Sequence, residues 1–136
     1  MPDLRVCLDV PDLERAIAFY TQALGFAVGR RLDDGWVELT GGPCPVDLLT
    51  AAAGSLASPA AAVTRDYQRH WTPLHLDLSV PDVEAAVQRA VAAGARLERG
   101  PLDKPYGRLA VLSDPFGHGF CFLEFRGRGY GELLSP

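Results

Sequence analysis

The pattern of apolar and polar residues predicts a strand, a corner and a helix in the middle of the chain. Within residues 74–80 (LHLDLSV), apolar and polar side chains alternate, which predicts a strand with one apolar and one polar face. A Pro-Asp pair then ends the strand, because proline cannot donate to a sheet ladder and Asp82 is a favourable helix N-cap. Apolar residues recur at helical spacing after Asp82, and Gly94 is a typical helix stop.

The same pattern occurs 70 residues earlier in the chain. LDVPDLERA (Leu8–Ala16) matches LSVPDVEAA (Leu78–Ala86), and the helical spacing of apolar residues is retained. The sequence therefore predicts two copies of one unit, each with a strand, a helix and three further strands. The predicted elements are strand 4–10, helix 12–24 and strands 26–32, 36–40 and 46–50, then strand 74–80, helix 82–94 and strands 95–99, 108–113 and 120–125.

The segments around these elements complete the predicted domain organisation. Residues 1–50 form the first module, and small residues followed by polar ones predict a connection over 51–70. The second module covers 71–126, with Trp71 expected in the core or an interface, and GPLDKPYG between its second and third strands predicted as a loop. A Gly-rich C-terminal tail covers 127–136.

Composition narrows the classes of function. The chain has 136 residues, of which 48% are hydrophobic and 22% charged, as is usual for a globular domain. A net charge of −4 gives no electrostatic basis for nucleic-acid binding, and no apolar run approaches the roughly 20 residues that span a membrane. The first residues lack a signal-peptide pattern, and the three widely spaced cysteines favour free thiols, so we expect a cytoplasmic protein.

Two motifs carry a resemblance to a known family. DLERAIAFYTQALGF (Asp12–Phe26) and DPFG (Asp114–Gly117), in two βαβββ copies, resemble the vicinal oxygen chelate superfamily. Its members include glyoxalase I, extradiol dioxygenases, fosfomycin-modifying enzymes and bleomycin-binding resistance proteins. The resemblance implies an α+β fold of two tandem βαβββ modules whose curled mixed sheets form a cup-shaped cavity. It implies no single function, since that fold hosts lyases, dioxygenases, transferases and non-catalytic binders.

The resemblance also implies where a metal would bind. In metal-dependent relatives, four His or Glu ligands come from the first and last strands of each module, and these positions fall here on Arg5, Leu49, His75 and Cys121. Arginine has no lone pair to donate and repels a cation, and Glu124 points to the opposite face from Cys121. We therefore expect no metal and no other cofactor, with a metal enzyme of unusual ligands as an alternative.

The polar faces of the two opening strands supply the candidate ligand-binding residues. A fixed cation and an imidazole between acids could bind an organic ligand, for example one whose carboxylate Arg5 grips through two hydrogen bonds. The same residues could instead form a charge-balanced interior without a function. The candidate set is Arg5, Cys7, Asp9, His75, Asp77 and Cys121.

Three hypotheses for the function follow. The first is a metal-free protein, similar to glyoxalases and bleomycin resistance proteins, that binds a small organic ligand. One version of this hypothesis has an anionic ligand. The second is a divalent-metal-dependent lyase or dioxygenase of the same superfamily. The third is a metal-free acid–base isomerase with His75 as the candidate catalytic residue, since a His beside a carboxylate acts near neutral pH. We also expect a homodimer, because the short edge strands otherwise lie open.

Overall fold

The structure is a computed structural model and describes residues 1–70 and 72–135. The chain forms two compact units, the first spanning Met1–Gln68 and the second beginning at Arg69. Each unit has a strand, a helix and three strands, so the α+β prediction of two βαβββ modules is confirmed. Trp71, expected in the core or an interface, lies outside the described residues, as does Pro136 of the predicted tail.

The first unit is a mixed four-stranded sheet with one helix. Its strands lie in the order β1-β4-β3-β2, with β1 parallel to β4 and the other neighbours antiparallel. The sequence predicted the bounds of β3 and β4, and it placed the others within two residues. The elements are β1 (Val6–Val10), α1 (Leu13–Leu24), β2 (Ala27–Asp33), β3 (Trp36–Thr40) and β4 (Val46–Thr50).

The second unit repeats this arrangement with the strand order β5-β8-β7-β6. Its first and last strands are parallel, and the remaining neighbours are antiparallel. A 3₁₀ helix over Gly129–Leu133 follows within the predicted tail. The elements are β5 (Leu76–Ser79), α2 (Val83–Ala92), β6 (Arg96–Lys104), β7 (Gly107–Ser113) and β8 (Gly119–Phe125).

The predicted loop GPLDKPYG is wrong, because most of it belongs to β6. The pairing of β6 with β7 shifts register between Arg99 and Leu102, and Gly100 lies in that irregularity with a φ of 89°. A register shift of this kind lets Gly and Pro stay within an edge strand. The turn between β6 and β7 is therefore only Pro105-Tyr106.

Both helices begin at the aspartates that the sequence identified as N-caps. The side chain of Asp12 accepts a hydrogen bond from the Arg15 amide at 3.1 Å, and Asp82 does the same for Ala85 at 3.1 Å. Glu124 Oε1 accepts a further hydrogen bond from the Val83 amide at 3.1 Å. Glu124 thus serves the helix side of its sheet, which confirms that it points away from the face of Cys121.

The face of each sheet that packs against its helix carries most of the buried apolar side chains. In the first unit, the apolar alternates of β3 and β4 are buried, as is Val10 of β1, and Val37 and Leu48 are fully inaccessible. In the second unit, Leu112 and Ala110 of β7 are fully buried and Phe122 of β8 is 2% exposed. The helices contact these strands, so the hydrophobic stabilisation of each unit lies on the helix side. The face of each sheet away from its helix therefore remains available for a functional site.

The predicted connection 51–70 folds mostly as part of the first unit. Gly54 and Arg65 are joined by a backbone hydrogen bond of 2.8 Å, and the Arg65 amide donates to the Ser55 carbonyl at 2.8 Å. The Tyr67 hydroxyl donates to the Ala51 carbonyl at 2.6 Å. This segment is therefore tied to the end of β4 rather than being a plain linker. Among the described residues, no helix has the length and apolar character needed to cross a membrane.

Candidate functional site

The strand register relates the polar residues of one unit to those of the other. Cys7 pairs with Asp47 across β1 and β4, and Asp77 pairs with Cys121 across β5 and β8. Since Asp77 follows Cys7 by 70 positions, the counterpart of Cys121 in the first unit is Asp47. The sequence prediction of Leu49 for this position is wrong by two residues. VDLLT has no clear alternation, so the sequence could not fix the register of β4.

A row of paired charges crosses the polar face of the first sheet. Arg5 donates from Nε and Nη2 to the two carboxylate oxygens of Asp47, at 2.9 and 2.7 Å, and from Nη2 to Glu38 at 2.6 Å. Arg30 donates from Nε and Nη2 to the same Glu38 carboxylate, at 3.0 and 2.9 Å. We call Arg5, Arg30, Glu38 and Asp47 the charge row. Its two cations and two carboxylates balance.

The charge row is held by strong hydrogen bonds to buried acids. Glu38 and Asp47 are only 7% and 4% exposed. The hydrogen bonds donated by Arg30 and then Arg5 lower the pKa of Glu38 to about 2, and the bonds that Arg5 donates to Asp47 and Glu38 raise the pKa of Arg5. Arg5 was expected to bind a ligand anion through two hydrogen bonds. Its Nε and Nη2 atoms already donate to Asp47. These contacts of Arg5 match the charge-balanced alternative, in which the charged residues pair with one another.

The charge row predicts a specific loss of stability in acid. Since the pKa of Glu38 falls from its ordinary 4.5 to about 2, its stabilisation is complete above pH 4.5 and disappears as the pH falls towards 2. A Glu38→Gln variant should be less stable than wild type at pH 7, and this difference should shrink across that window. Urea unfolding at several pH values measures it. Glu14→Gln, which alters an exposed pair with Arg31, is the control and should lower the free energy of unfolding at pH 7 by no more than about 1 kcal/mol.

The other two candidates on β1 have separate surroundings. Asp9 accepts a hydrogen bond from Arg65 Nε at 2.7 Å, and Arg65 also donates to the Ser55 hydroxyl at 3.1 Å. Cys7 is exposed, and desolvation followed by the charges of Asp9 and Asp47 raises the pKa of its thiol. Asp9 therefore anchors the segment after β4, and Cys7 is not an activated nucleophile.

Three candidates do meet on the polar face of the second sheet. His75 Nε2 lies 3.1 Å from Asp77 Oδ1, and the ligand atoms of His75, Asp77 and Cys121 all lie within 4.8 Å of one another. Burial, the charge of Asp77 and a hydrogen bond to it raise the pKa of Cys121 to about 11. The thiol is therefore protonated at neutral pH and donates to Asp77. We call these residues the His-Asp-Cys cluster.

The raised pKa makes Cys121 an unreactive thiol. With a pKa of about 11 against an ordinary 9.0, its thiolate fraction at pH 8 should be about 100-fold lower than in the unfolded chain. Alkylation by iodoacetamide, followed by mass spectrometry of the Cys121 peptide, should be slower by at least that factor than in urea. Asp77→Asn should speed it several-fold, because the neighbouring negative charge is removed. Equal rates in folded and unfolded protein would contradict this assignment.

A cavity of about 320 Å³ lies beside the His-Asp-Cys cluster, and we call it the second-unit pocket. A Cβ at Gly119 would come within 2.6 Å of Arg69 Nη2, so glycine there gives the guanidinium its place. The pocket is lined by Arg69, Thr72, His75, Val111, Gly119, Phe120 and Cys121.

Arg69 is fixed in the pocket wall by an acid. Its Nε and Nη2 donate to Glu98 at 2.8 and 3.0 Å, and its Nη1 donates to the His70 carbonyl at 2.9 Å. The hydrogen bond from Arg69 lowers the pKa of Glu98 and raises that of Arg69. Sequence reasoning missed Arg69 because it lies in the predicted connection, where no pattern marks it. Sequence reasoning also left the buried acid Glu38 out of the candidate set. The sequence pattern could have identified it, because Glu38 shares one face of β3 with Trp36 and Thr40.

At the positions where the resemblance implies a metal, the residues of the first unit do not fit a divalent ion. In the first unit, Arg5 has no lone pair to offer, and both carboxylate oxygens of Asp47 accept from Arg5. In the second unit, His75, Asp77 and Cys121 lie close enough together to hold an ion, but a metal would have to displace the thiol proton of Cys121, because thiolate is the ligand form.

Comparison with known proteins places the chain in a family. The model of the glyoxalase-like domain matches residues 5–123, so the chain belongs to the glyoxalase-like domain family. A glyoxalase/bleomycin resistance protein/dioxygenase family enzyme from Burkholderia phytofirmans PsJN has the same fold, with a TM-score of 0.74, 26% identity and coverage of 92% of this chain and 100% of that one.

Two further proteins are similar to this chain. The anthracycline biosynthesis protein DauV of Streptomyces sp. (strain C5) is 47% identical over 57 residues, which are 42% of this chain and 20% of DauV. TnmS3, an antibiotic binding protein from Streptomyces sp. CB03234, shares the fold with a TM-score of 0.64, 22% identity and coverage of 93% and 97%. The chain spans between 20% and 40% of the length of the first curated relatives it matches.

Proposed function

We propose that the protein binds a small organic ligand in the second-unit pocket without a metal. The observation that carries this proposal is the His-Asp-Cys cluster, whose polar atoms meet within 4.8 Å beside a cavity of about 320 Å³. Binding sites typically combine such a cavity with a few convergent polar groups. The antibiotic-binding protein TnmS3 has the same fold, which supports a binding role for this architecture.

The charges around the pocket define the kind of ligand. Arg69 already pairs with Glu98, whereas Asp77 accepts from the Cys121 thiol and lies 3.1 Å from the His75 imidazole, with no guanidinium paired to it among the described residues. A ligand that brings an N–H donor, an O–H donor or a positive charge to Asp77 would complement this site. We therefore replace the anionic ligand expected from the sequence with a neutral or cationic one.

A thermal-shift screen of the full chain tests this function. A ligand at 100 times its Kd should add about 2.7 kcal/mol to the free energy of unfolding, which raises the melting temperature. Asp77→Ala should weaken binding of each hit at least about tenfold, because hydrogen bonds to a charged group contribute roughly 1.5–3 kcal/mol. Asp103→Ala is the matched control, since Asp103 is an exposed acid of the same unit paired with Arg108 at 3.2 Å.

Two results would count against the proposal. One is an absence of saturable stabilisation across a broad panel of neutral and cationic compounds. The other is equal weakening of binding by Asp77→Ala and Asp103→Ala, because general electrostatic attraction to an acidic chain would explain it.

A second candidate function is metal-free acid–base catalysis. The distance of 3.1 Å between His75 Nε2 and Asp77 Oδ1 favours it, since a nearby carboxylate stabilises the protonated form of an imidazole. Any ligand found in the screen can be tested for isotope exchange of its carbon-bound hydrogens in heavy water. Exchange that persists in His75→Ala would exclude His75 as the base.

We further propose that the protein is a homodimer in a reducing compartment. β1 and β2 are the edges of the first sheet, and β5 and β6 are the edges of the second. Open edges are a common site of pairing between copies. Cys7, Cys44 and Cys121 are all free thiols, which suits a reducing environment such as the cytoplasm. Sedimentation equilibrium should give twice the mass of 14.6 kDa at micromolar concentration, and a mass of one chain would refute the dimer.

A further inference from the structure

Three aromatic rings gather at the C-terminal end of β8. The ring of Tyr130 lies 4.8 Å from that of Phe125 and 5.0 Å from that of Tyr106, in edge-to-face arrangements. Tyr106 and Phe125 are themselves 6.3 Å apart. We call Tyr106, Phe125 and Tyr130 the aromatic cluster. The tail predicted from the sequence therefore contributes Tyr130 to an ordered aromatic surface.

The aromatic cluster lies on the same side of the second sheet as the His-Asp-Cys cluster. Phe125 follows Cys121 by four residues on β8, and residues an even number apart share a face of a strand. Asp77 lies close enough to Tyr130 to act on it, since desolvation and then the charge of Asp77 raise the pKa of Tyr130. Phe125 and Tyr130 remain 39% and 50% exposed, so their rings are accessible.

The tail is fixed in the position that forms the aromatic cluster. The Arg126 amide donates to the Tyr106 carbonyl at 2.9 Å, and the Gly129 amide donates to the Arg126 carbonyl at 2.9 Å. Gly129 has a φ of 58°, and a Cβ there would come within 3.3 Å of the Phe125 ring. Glycine thus lets the chain turn closely over Phe125. A surface held in this way loses little conformational entropy when it binds.

We propose that the aromatic cluster contacts an aromatic ring of the ligand, so that the second unit selects planar aromatic compounds with a donor or a positive charge. Aromatic rings favour edge-to-face and offset contacts with one another, and Asp77 on the same face would accept the donor of the ligand. This inference rests on the proposed binding function and names the class of ligand. In this proposal, Tyr130 determines the specificity of the second unit for aromatic ligands.

The test uses two cations that differ in aromaticity. The full chain is titrated with the planar aromatic cation 9-aminoacridine by fluorescence, and with the aliphatic ammonium 1-aminoadamantane by calorimetry. Tyr130→Leu should weaken binding of 9-aminoacridine about fivefold, since one ring contact is lost, and should leave 1-aminoadamantane unchanged. Tyr130→Phe keeps the ring and should bind 9-aminoacridine as wild type does. Asp77→Ala should weaken both probes.

The outcomes separate this inference from the proposed function. If wild type binds 1-aminoadamantane and not 9-aminoacridine, or if Tyr130→Leu binds 9-aminoacridine as tightly as wild type, the aromatic inference is wrong and the binding function stands. If neither cation nor any compound of the thermal-shift panel binds, both are wrong. Urea unfolding of Tyr130→Leu checks that the variant folds, which its half-exposed side chain leads us to expect.

Discussion

Replacing Phe122 with alanine should lower the free energy of unfolding by about 4 kcal/mol, whereas Phe125→Ala should lower it by about 1 kcal/mol. The two residues lie three positions apart on β8 and therefore point to opposite faces of the sheet. Phe122 is 2% exposed and its ring lies 5.4 Å from that of Phe120, so alanine would leave a cavity in the core. Phe125 is 39% exposed and belongs to the aromatic cluster.

Urea unfolding of both variants beside wild type measures this difference. Phe122 contributes to the core on the helix side of the second sheet, and we place the ligand contacts of Phe125 on the other side. Phe125→Ala should therefore weaken binding of 9-aminoacridine while it retains most of the stability. Similar losses of stability in the two variants would contradict the division between the faces.

Gly107→Ala should destabilise the protein by about 3 kcal/mol or more. Gly107 opens β7 with a φ of 143°, and a Cβ there would overlap the Glu124 carbonyl oxygen and lie 2.9 Å from its carbonyl carbon. Relief would require β7 and β8 to separate where Gly107 pairs with Phe125. This would also displace the aromatic cluster, since Tyr106 precedes Gly107 directly.

Gly54→Ala is the matched control for this backbone clash. Gly54 also has a positive φ, of 82°, but nothing lies within 4 Å of an added Cβ. Its substitution should cost only about 1 kcal/mol, the cost of the positive φ itself. Urea midpoints compare the two variants, and equal losses would show that close approach of β8 to Gly107 contributes nothing.

The sequence predicted the fold well where periodicity and breakers agree. The helix bounds follow from Asp12 and Asp82 as N-caps and from Gly25, which takes a φ of 73° at the end of α1. The prediction failed at Gly100, because a Gly-Pro pair usually marks a turn and here lies within an irregular edge strand. Such an edge cannot be distinguished from a loop by local pattern.

The site was predicted less well because partners across a sheet leave no local signal. The sequence placed Arg5, Asp9 and His75 on the polar faces of the opening strands; in the structure Asp9 lies in β1, and Arg5 and His75 directly precede β1 and β5. The sequence could not show that Arg5 pairs with Asp47, because VDLLT has no clear alternation that would predict the register of β4. The cup-shaped cavity and the participation of all six candidates in one site stay predictions.

Elemental analysis of the untagged full chain, purified without chelators, tests the central claim of metal-free binding most directly. After incubation with nickel, zinc, manganese and iron and subsequent dialysis, the account predicts far less than one metal equivalent per chain, because Arg5 holds Asp47 and Cys121 keeps its proton. One equivalent that is lost in His75→Ala would contradict it and would make the His-Asp-Cys cluster a metal site.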